Sequence, residues 1–170
     1  MNIFILSKNP YVSATYMCDK HIPKMIIESA QMLASALRRH GATDDDMPLT
    51  QKGKPFGNAF PHHPCTKWTG DNKMNFTWLL HHAYALLDQY QLRFGKKHAT
   101  ATAIRWMGKM DGFIPFGKYD NTFALAMPDQ YKLKCPVESY RLYYRTEKAR
   151  FAKWERGVPK PYWFDMQEVA

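Results

Sequence analysis

The sequence predicts a mainly α-helical protein: a single compact helical domain with a short extended N-terminal segment and long irregular loops. Two stretches repeat apolar residues at helical spacing, and glycine or proline residues punctuate the chain between them. A hydrophobic fraction of 45% over 170 residues is enough for one core. We therefore expect one domain that spans residues 1–170.

The first half of the chain contains the strongest helical pattern. Residues 2–6 are apolar without alternation, which predicts a short buried strand or an extended lead-in. The helical pattern covers residues 11–39, and Gly41 follows cations that suit a last turn. Pro23 lies inside this pattern, so we expect a kink or a restart of the helix there.

Loops and further helices follow. Residues 42–64 are polar and rich in Gly and Pro, which predicts a long functional or mobile loop. A second helix is expected over residues 71–94, a weaker one over 99–107, and irregular chain over 111–134. The last helix should begin at Pro136 and reach about residue 154, before an extended tail.

Charge and composition narrow the class of partner. The 24 Lys and Arg residues outnumber the 15 Asp and Glu residues, which gives a net charge of +9 and favours phosphate groups. Aromatic residues make up 15% of the chain; most should pack in the core, and some could stack on bases. Three cysteines without a CxxC pair indicate a reducing cytoplasm, and neither a signal peptide nor a run of membrane-spanning length is evident.

The most informative segment lies near the start of the first helical pattern. On a helix, Lys20, Lys24 and Glu28 share one face, and His21 borders it. Cations, an imidazole and a carboxylate beside an apolar wall can support acid–base chemistry. The alternative is a solvated face with an ordinary ion pair between Lys24 and Glu28.

A second cluster closes the long loop. His62, His63, Lys67 and Trp68 could form the lip of a substrate site, where the lysine meets phosphate and the indole stacks on a base. The alternative is a loop that a buried Trp68 anchors.

Two later segments add candidates. Trp78 and His82 lie off the apolar stripe of the second helix and could face the same cleft. Tyr143, Tyr144 and Arg145 belong to a last helix in which cations and aromatic residues alternate, a pattern that suits a nucleic-acid backbone.

Metal ligands form another possible set. Cys18, His21, His62 and Cys65 together supply four zinc-type ligands, which leaves a structural zinc domain as an alternative. Nothing in the sequence brings the two pairs together, so we expect no metal. We also expect no cofactor, since a Walker loop, a GxGxxG motif and a serine nucleophile elbow are all missing.

In this order, the parts resemble the pyrimidine-dimer DNA glycosylases of the phage endonuclease V type. Residues 20–24, Lys-His-Ile-Pro-Lys, resemble the Arg-Glu-x-x-Arg stretch of that family, which includes a proline. Residues 63–68, His-Pro-Cys-Thr-Lys-Trp, resemble a His-Pro-x-Thr-x-x-Trp motif of bacterial relatives, and Tyr143 with Tyr144 resembles a C-terminal tyrosine pair. The sequence also resembles uncharacterised tailed-phage proteins that open with Met-Asn-Ile-Phe and carry an Asp-Lys-His segment.

The resemblance implies a catalytic glutamate and a nucleophile that is a freed N-terminal amine. In this sequence Asn2 follows Met1, so the methionine should be retained and the amine should belong to Met1. The position of the family's glutamate falls on His21, and the nearest carboxylates are those of Asp19 and Glu28.

We therefore expect a phage-type DNA-base glycosylase or related DNA-modification enzyme, active in DNA repair or modification in the cytoplasm, that acts on an extruded base. The alternative is a non-catalytic protein that binds nucleic acid or a small nucleotide, a role that would suit counter-defence. The candidate catalytic residues are Glu28, Asp19 and His21. The candidate nucleic-acid-binding residues are Lys20, Lys24, His62, His63, Lys67, Trp68, Trp78, His82, Tyr143, Tyr144 and Arg145. We expect one cleft to hold His21, Lys24, Glu28, His63 and Trp68.

Overall fold

Two long helices, α2 and α4, form the centre of the fold in a computed structural model that describes residues 1–118 and 122–166. Helix α2 packs against α3, α4 and α5, and α1 packs against α4. The prediction of a mainly α protein is confirmed, and the described residues contain no strand, only one isolated bridge between Leu49 and Pro55. No helix among them is both long enough and apolar enough to cross a bilayer. The helices are α1 (Pro10–Tyr16), α2 (His21–Arg39), α3 (Pro64–Asp71), α4 (Lys73–Phe94), α5 (Ala101–Gly108) and α6 (Pro136–Glu147), with short 3₁₀ turns at Asp111–Phe113 and Asp129–Tyr131.

The predicted helix over residues 11–39 is two helices, because the chain leaves the helical conformation between α1 and α2. Helix α1 begins at Pro10, where the side chain of Asn9 accepts hydrogen bonds from two backbone N–H groups of the first turn. Pro23 falls in the first turn of α2, where its missing N–H costs no helical hydrogen bond. The expected restart is therefore observed, and the continuous helix is not.

A buried ion pair holds the connection between α1 and α2. The Arg93 guanidinium on α4 donates to Asp19 Oδ1 at 3.1 Å, to the Met17 carbonyl at 2.7 Å and to the Thr15 carbonyl at 2.8 Å. The other oxygen of Asp19 accepts the backbone N–H of Glu155 at 2.8 Å. One carboxylate and one guanidinium thus join the α1–α2 connection to α4 and to the C-terminal segment.

The N-terminal segment is an extended lead-in and not a strand. The amide of Asn2 supplies its local order: Oδ1 accepts the N–H groups of Ile3 and Phe4 at 2.8 and 3.0 Å, and Nδ2 donates to the Ala126 carbonyl at 2.7 Å. These side-chain bonds take the place of a strand ladder. Residues 3–6 are buried, and Phe4 adopts a positive φ of 39° in a cage of His and Tyr rings.

Two boundaries differ from expectation. Helix α3, which the sequence did not predict, lies between the predicted loop and the predicted second helix, because His63 caps its first turn and Pro64 occupies a first-turn position that needs no N–H donor. Helix α6 ends at Glu147 instead of near residue 154, and the chain continues through turns. Helix α4 stops where the sequence predicts, at Gly95 with a left-handed φ of 68°.

Two histidines lie in the core. His82 is fully buried beside Trp78, neither ring nitrogen has a hydrogen-bond partner among the described residues, and burial lowers its pKa to about 3. His21 is 3% exposed and packs on Phe4 and Tyr144. Burial, followed by the positive charges of nearby lysines, lowers the pKa of His21 to about 3.

We predict that Asp19→Asn lowers the free energy of unfolding by about 3 kcal/mol, because it leaves the buried Arg93 charge without its partner. Urea denaturation measures the change. Asp129→Asn, which removes one partner of an exposed pair with Lys132, serves as the control and should change stability by less than about 0.5 kcal/mol. Equal effects of the two substitutions would contradict a structural role for the Asp19 pair.

We also predict that stability falls as the pH is lowered below 6.5. The pKa of each buried histidine is lower in the folded protein than the ordinary value of 6.5, so the unfolded chain binds more protons between pH 6.5 and about 3. The free energy of unfolding should then decrease by up to about 1.4 kcal/mol per pH unit for each histidine. His82→Leu should remove one such contribution from the pH dependence measured by urea denaturation. A slope unchanged by His82→Leu would refute this account.

Candidate active site

The carboxylate of Glu28 lies at the N-terminus of the chain. Glu28 follows Lys24 by one turn on α2, and its Oε1 lies 3.7 Å from the Lys24 ammonium. Its Oε2 accepts the backbone N–H of Asn2 at 2.8 Å and lies 3.9 Å from the amino nitrogen of Met1. A carboxylate that is 14% exposed is therefore held between two cationic groups and one backbone donor.

The side chain of Met1 anchors this amino group. It is 1% exposed, and the Thr66 hydroxyl on α3 contacts its sulfur at 3.2 Å. Met1 as a whole residue is only half-buried, so the accessible part is its backbone end, which carries the amine. The fold thus presents a primary amine to solvent directly beside a carboxylate, a nucleophile next to a proton acceptor.

His63 faces the same pair of charges. Its Nδ1 accepts the backbone N–H of Cys65 at 3.2 Å, which fixes the ring at the start of α3. Burial lowers the pKa of His63, the Met1 ammonium lowers it further, and Glu28 raises it. Burial raises the pKa of the neighbouring Cys65 thiol to about 12, so this cysteine is a core residue and not a nucleophile.

Lys20, Lys24 and Lys148 form a cationic cluster, and one of them, Lys24, also contacts the Glu28 carboxylate. All three ammonium groups act on His21, which places them around the start of α2. Lys20 lies 4.8 Å from the centre of the Phe151 ring, and Lys148 lies 4.5 Å from the centre of the Tyr143 ring and donates to its hydroxyl at 3.2 Å. Lys24 belongs both to the cluster and to the Glu28 site, so the two are continuous.

A polar groove runs along the outer side of α3, with a volume of about 460 Å³. His62 and Lys67 are exposed at this groove. Thr66 also lines it, and the Thr66 hydroxyl contacts the Met1 sulfur, so the groove lies close to the Met1 side chain.

A separate aromatic cavity of about 210 Å³ lies between α3 and α4. Trp68 and Trp78 line it with Phe123, and the two indoles meet edge to face at 6.0 Å. Both indole nitrogens donate to backbone carbonyls, those of Thr122 and Lys8 respectively. Trp68 is 6% exposed, so it anchors α3, which was the alternative that the sequence left open.

The structure brings together only part of the predicted set. Lys24, Glu28 and His63 meet at the N-terminus, with Lys20 and Tyr143 on the adjoining surface. The expected cleft of five residues is corrected, because His21 and Trp68 lie in the core and outside it.

Other candidates lie elsewhere. Asp19, a candidate catalytic residue, belongs to the buried pair with Arg93, and its other oxygen accepts the backbone N–H of Glu155. Tyr144 and His82 are fully buried, which excludes direct contact between their side chains and DNA in this structure. Arg145 is half-buried on α6. No group of three or more metal-ligating side chains forms in the described part of the chain, so Cys18, His21, His62 and Cys65 do not assemble a zinc site there.

Two site residues have no local motif that would reveal them. Asn2 orders the first residues of the chain, and Thr66 holds the Met1 side chain. The one signal in the sequence was the resemblance itself, which implied that an N-terminal amine takes part.

Comparison with known proteins gives a family match. A family model described as pyrimidine dimer DNA glycosylase matches residues 1–102, which include the N-terminus, α2, α3 and α4. No curated protein and no solved structure matches the chain. The match supports DNA as the substrate and a function of the DNA glycosylase type. Because it covers more than half of the sequence, the chain belongs to the pyrimidine dimer DNA glycosylase family.

Proposed function

We propose that this protein is a phage-type DNA-base glycosylase in which the Met1 amine attacks the sugar and Glu28 moves the protons. The observation that carries the proposal is the 3.9 Å separation between the amino nitrogen of Met1 and Oε2 of Glu28. The family match supports the reaction class and action on DNA, and the resemblance to tailed-phage proteins is the reason for proposing the host cytoplasm as the location.

The chemistry needs both groups. The neutral Met1 amine forms a bond to C1′ of the sugar, the glycosidic bond breaks, and its electron pair leaves with the base. Glu28 takes the proton that the new secondary ammonium releases. When the C1′–O4′ bond then breaks, Glu28 returns that proton to O4′, and the nitrogen lone pair completes a protonated imine at C1′. Before it takes that proton, the ionised carboxylate also stabilises the positive charge that develops on the sugar.

The cationic cluster positions the DNA backbone for this attack. Lys20 and Lys24 are exposed, Lys148 is half-buried, and none of the described carboxylates pairs with Lys20 or Lys148. Contacts of lysine with phosphate fix register without reading sequence. The amine lies in a recess between α2 and α3, and a target nucleotide reaches it more readily when it is extruded from the duplex.

The proposal is tested with a duplex oligonucleotide that carries a single pyrimidine dimer, incubated with the protein and borohydride. We expect a covalent protein–DNA adduct whose attachment site maps to Met1, and release of the base from its sugar in the absence of reductant. A protein that binds this duplex but forms no adduct and releases no base would favour the non-catalytic binder instead.

We predict that Glu28→Gln lowers the single-turnover rate of base release by about a hundredfold or more, because the amide can neither take the proton nor stabilise positive charge on the sugar. Fold and DNA affinity should be retained, since the two side chains have the same shape. Glu138→Gln on the exposed side of α6 removes the same charge away from the site and should leave the rate at the wild-type value. A wild-type rate in Glu28→Gln would remove Glu28 from the mechanism.

We predict that affinity for duplex DNA decreases steeply with salt, because each lysine–phosphate contact releases a counterion. The double substitution Lys20→Ala and Lys148→Ala should reduce the slope of log K against log salt concentration by about 2. Lys52→Ala with Lys109→Ala removes the same charge from exposed positions outside the cluster and should keep the wild-type slope. Equal slopes for the two double variants, measured by fluorescence anisotropy, would place the DNA elsewhere on the protein.

A further inference from the structure

We propose that His63 is a catalytic residue of this site: its Nε2–H group donates a hydrogen bond to O2 of the departing pyrimidine. This inference rests on the proposed function and extends it, because neither Met1 nor Glu28 acts on the leaving group.

The tautomer of His63 follows from its position at the start of α3. The backbone N–H of Cys65 donates to Nδ1 at 3.2 Å, so Nδ1 carries no proton. In a neutral ring the proton then lies on Nε2. Pro64 follows directly and fixes the backbone at the first turn, so the ring is held in one orientation.

The location of His63 follows from its neighbours. Thr66, three residues later on the same helix turn, contacts the sulfur of Met1 at 3.2 Å. The charges of the Met1 ammonium and the Glu28 carboxylate both act on the His63 ring. The side chain is half-buried, and Nε2 has no hydrogen-bond partner among the described residues, so this donor is available to a ligand.

The uncharged polar side chains nearest the amine, those of Asn2 and Thr66, already have partners. In the Asn2 side chain, Oδ1 accepts the backbone N–H groups of Ile3 and Phe4, and Nδ2 donates to the Ala126 carbonyl. The Thr66 hydroxyl contacts Met1, and Glu28 offers only acceptor atoms when it is ionised. Among the residues that surround the amine, His63 supplies the neutral donor.

A leaving pyrimidine needs such a donor. When the glycosidic bond breaks, its electron pair stays on the ring nitrogen and is shared with the adjacent carbonyl, O2. A preorganised N–H group at the atom where charge develops stabilises the transition state, and removal of one such donor slows comparable reactions by about 10²- to 10³-fold. The base then takes its proton from water, so His63 is unchanged at the end of the step.

Two substitutions separate this role from helix capping. In the variant His63→Asn, the asparagine Oδ1 lies near the position of the histidine Nδ1, so the helix cap is retained. The asparagine has no donor at the position of the histidine Nε2. In the variant His63→Gln, the longer side chain extends an amide N–H toward the position of the histidine Nε2. His98→Asn is a matched control, because His98 also accepts a backbone N–H through Nδ1, that of Thr100 at 3.2 Å, beside Tyr90 at the start of α5.

Each variant is tested on two duplexes, one with a single pyrimidine dimer and one with a single abasic site. The abasic site has no base to release, so the amine forms its borohydride-trapped adduct there without any leaving-group donor. We expect His63→Asn to lower the ratio of base release to abasic-site adduct formation by about a hundredfold. His63→Gln should recover at least about tenfold of that loss, and His98→Asn should keep the wild-type ratio.

The outcomes distinguish this inference from the function on which it rests. If His63→Asn keeps the wild-type ratio of base release to abasic-site adduct formation, or slows both reactions equally, the donor role is overturned and the glycosylase proposal stands. A wild-type protein that forms the abasic-site adduct but releases no base would overturn the donor role as well. A wild-type protein that forms no adduct on either duplex would overturn the glycosylase proposal, and the role of His63 with it.

Discussion

The hydrogen bond from the backbone N–H of Asn2 to Glu28 decides where the chain begins in space, and the site depends on that location. It draws the first residue onto α2, where the carboxylate, the amine and Lys24 meet. The buried residues that follow hold the segment in place, because pulling it away would expose four consecutive apolar side chains to water. The geometry of the candidate active site is thus a consequence of core packing.

The groups around the Glu28 carboxylate are of two kinds, buried groups that pack tightly and lysines that are accessible to solvent. On the core side of the site, His21 and Tyr144 pack on Phe4, and the Tyr144 hydroxyl accepts the backbone N–H of Cys18. These contacts hold the buried side chains behind Glu28 in place. In front of it, the exposed lysines carry positive charge toward solvent. Phosphates bind where charge is accessible, and the reacting groups are held where packing fixes them.

Helix α3 connects the chemistry to the rest of the molecule. Its first turn supplies both the His63 ring and the Thr66 contact to Met1, and its last turn is tied to α2 by the ion pair between Arg39 and Asp71. Trp68 anchors its inner face in the aromatic cavity. These contacts position a short helix of eight residues on three sides and so fix the location of its cap residue, His63.

The sequence by itself determined the helical class, the end of α4 at Gly95 and the cationic balance, because periodicity, left-handed glycine and net charge are local or additive properties. The sequence also indicated Lys24, Glu28 and His63 as candidate site residues. Only the tertiary structure decided that the carboxylate partner of the amine is Glu28 and that Asp19 is a structural residue, since both carboxylates lie within reach of the same helix start. That choice depends on contacts between residues far apart in the chain, Glu28 with the N-terminus and Asp19 with Arg93, and no local pattern encodes such contacts.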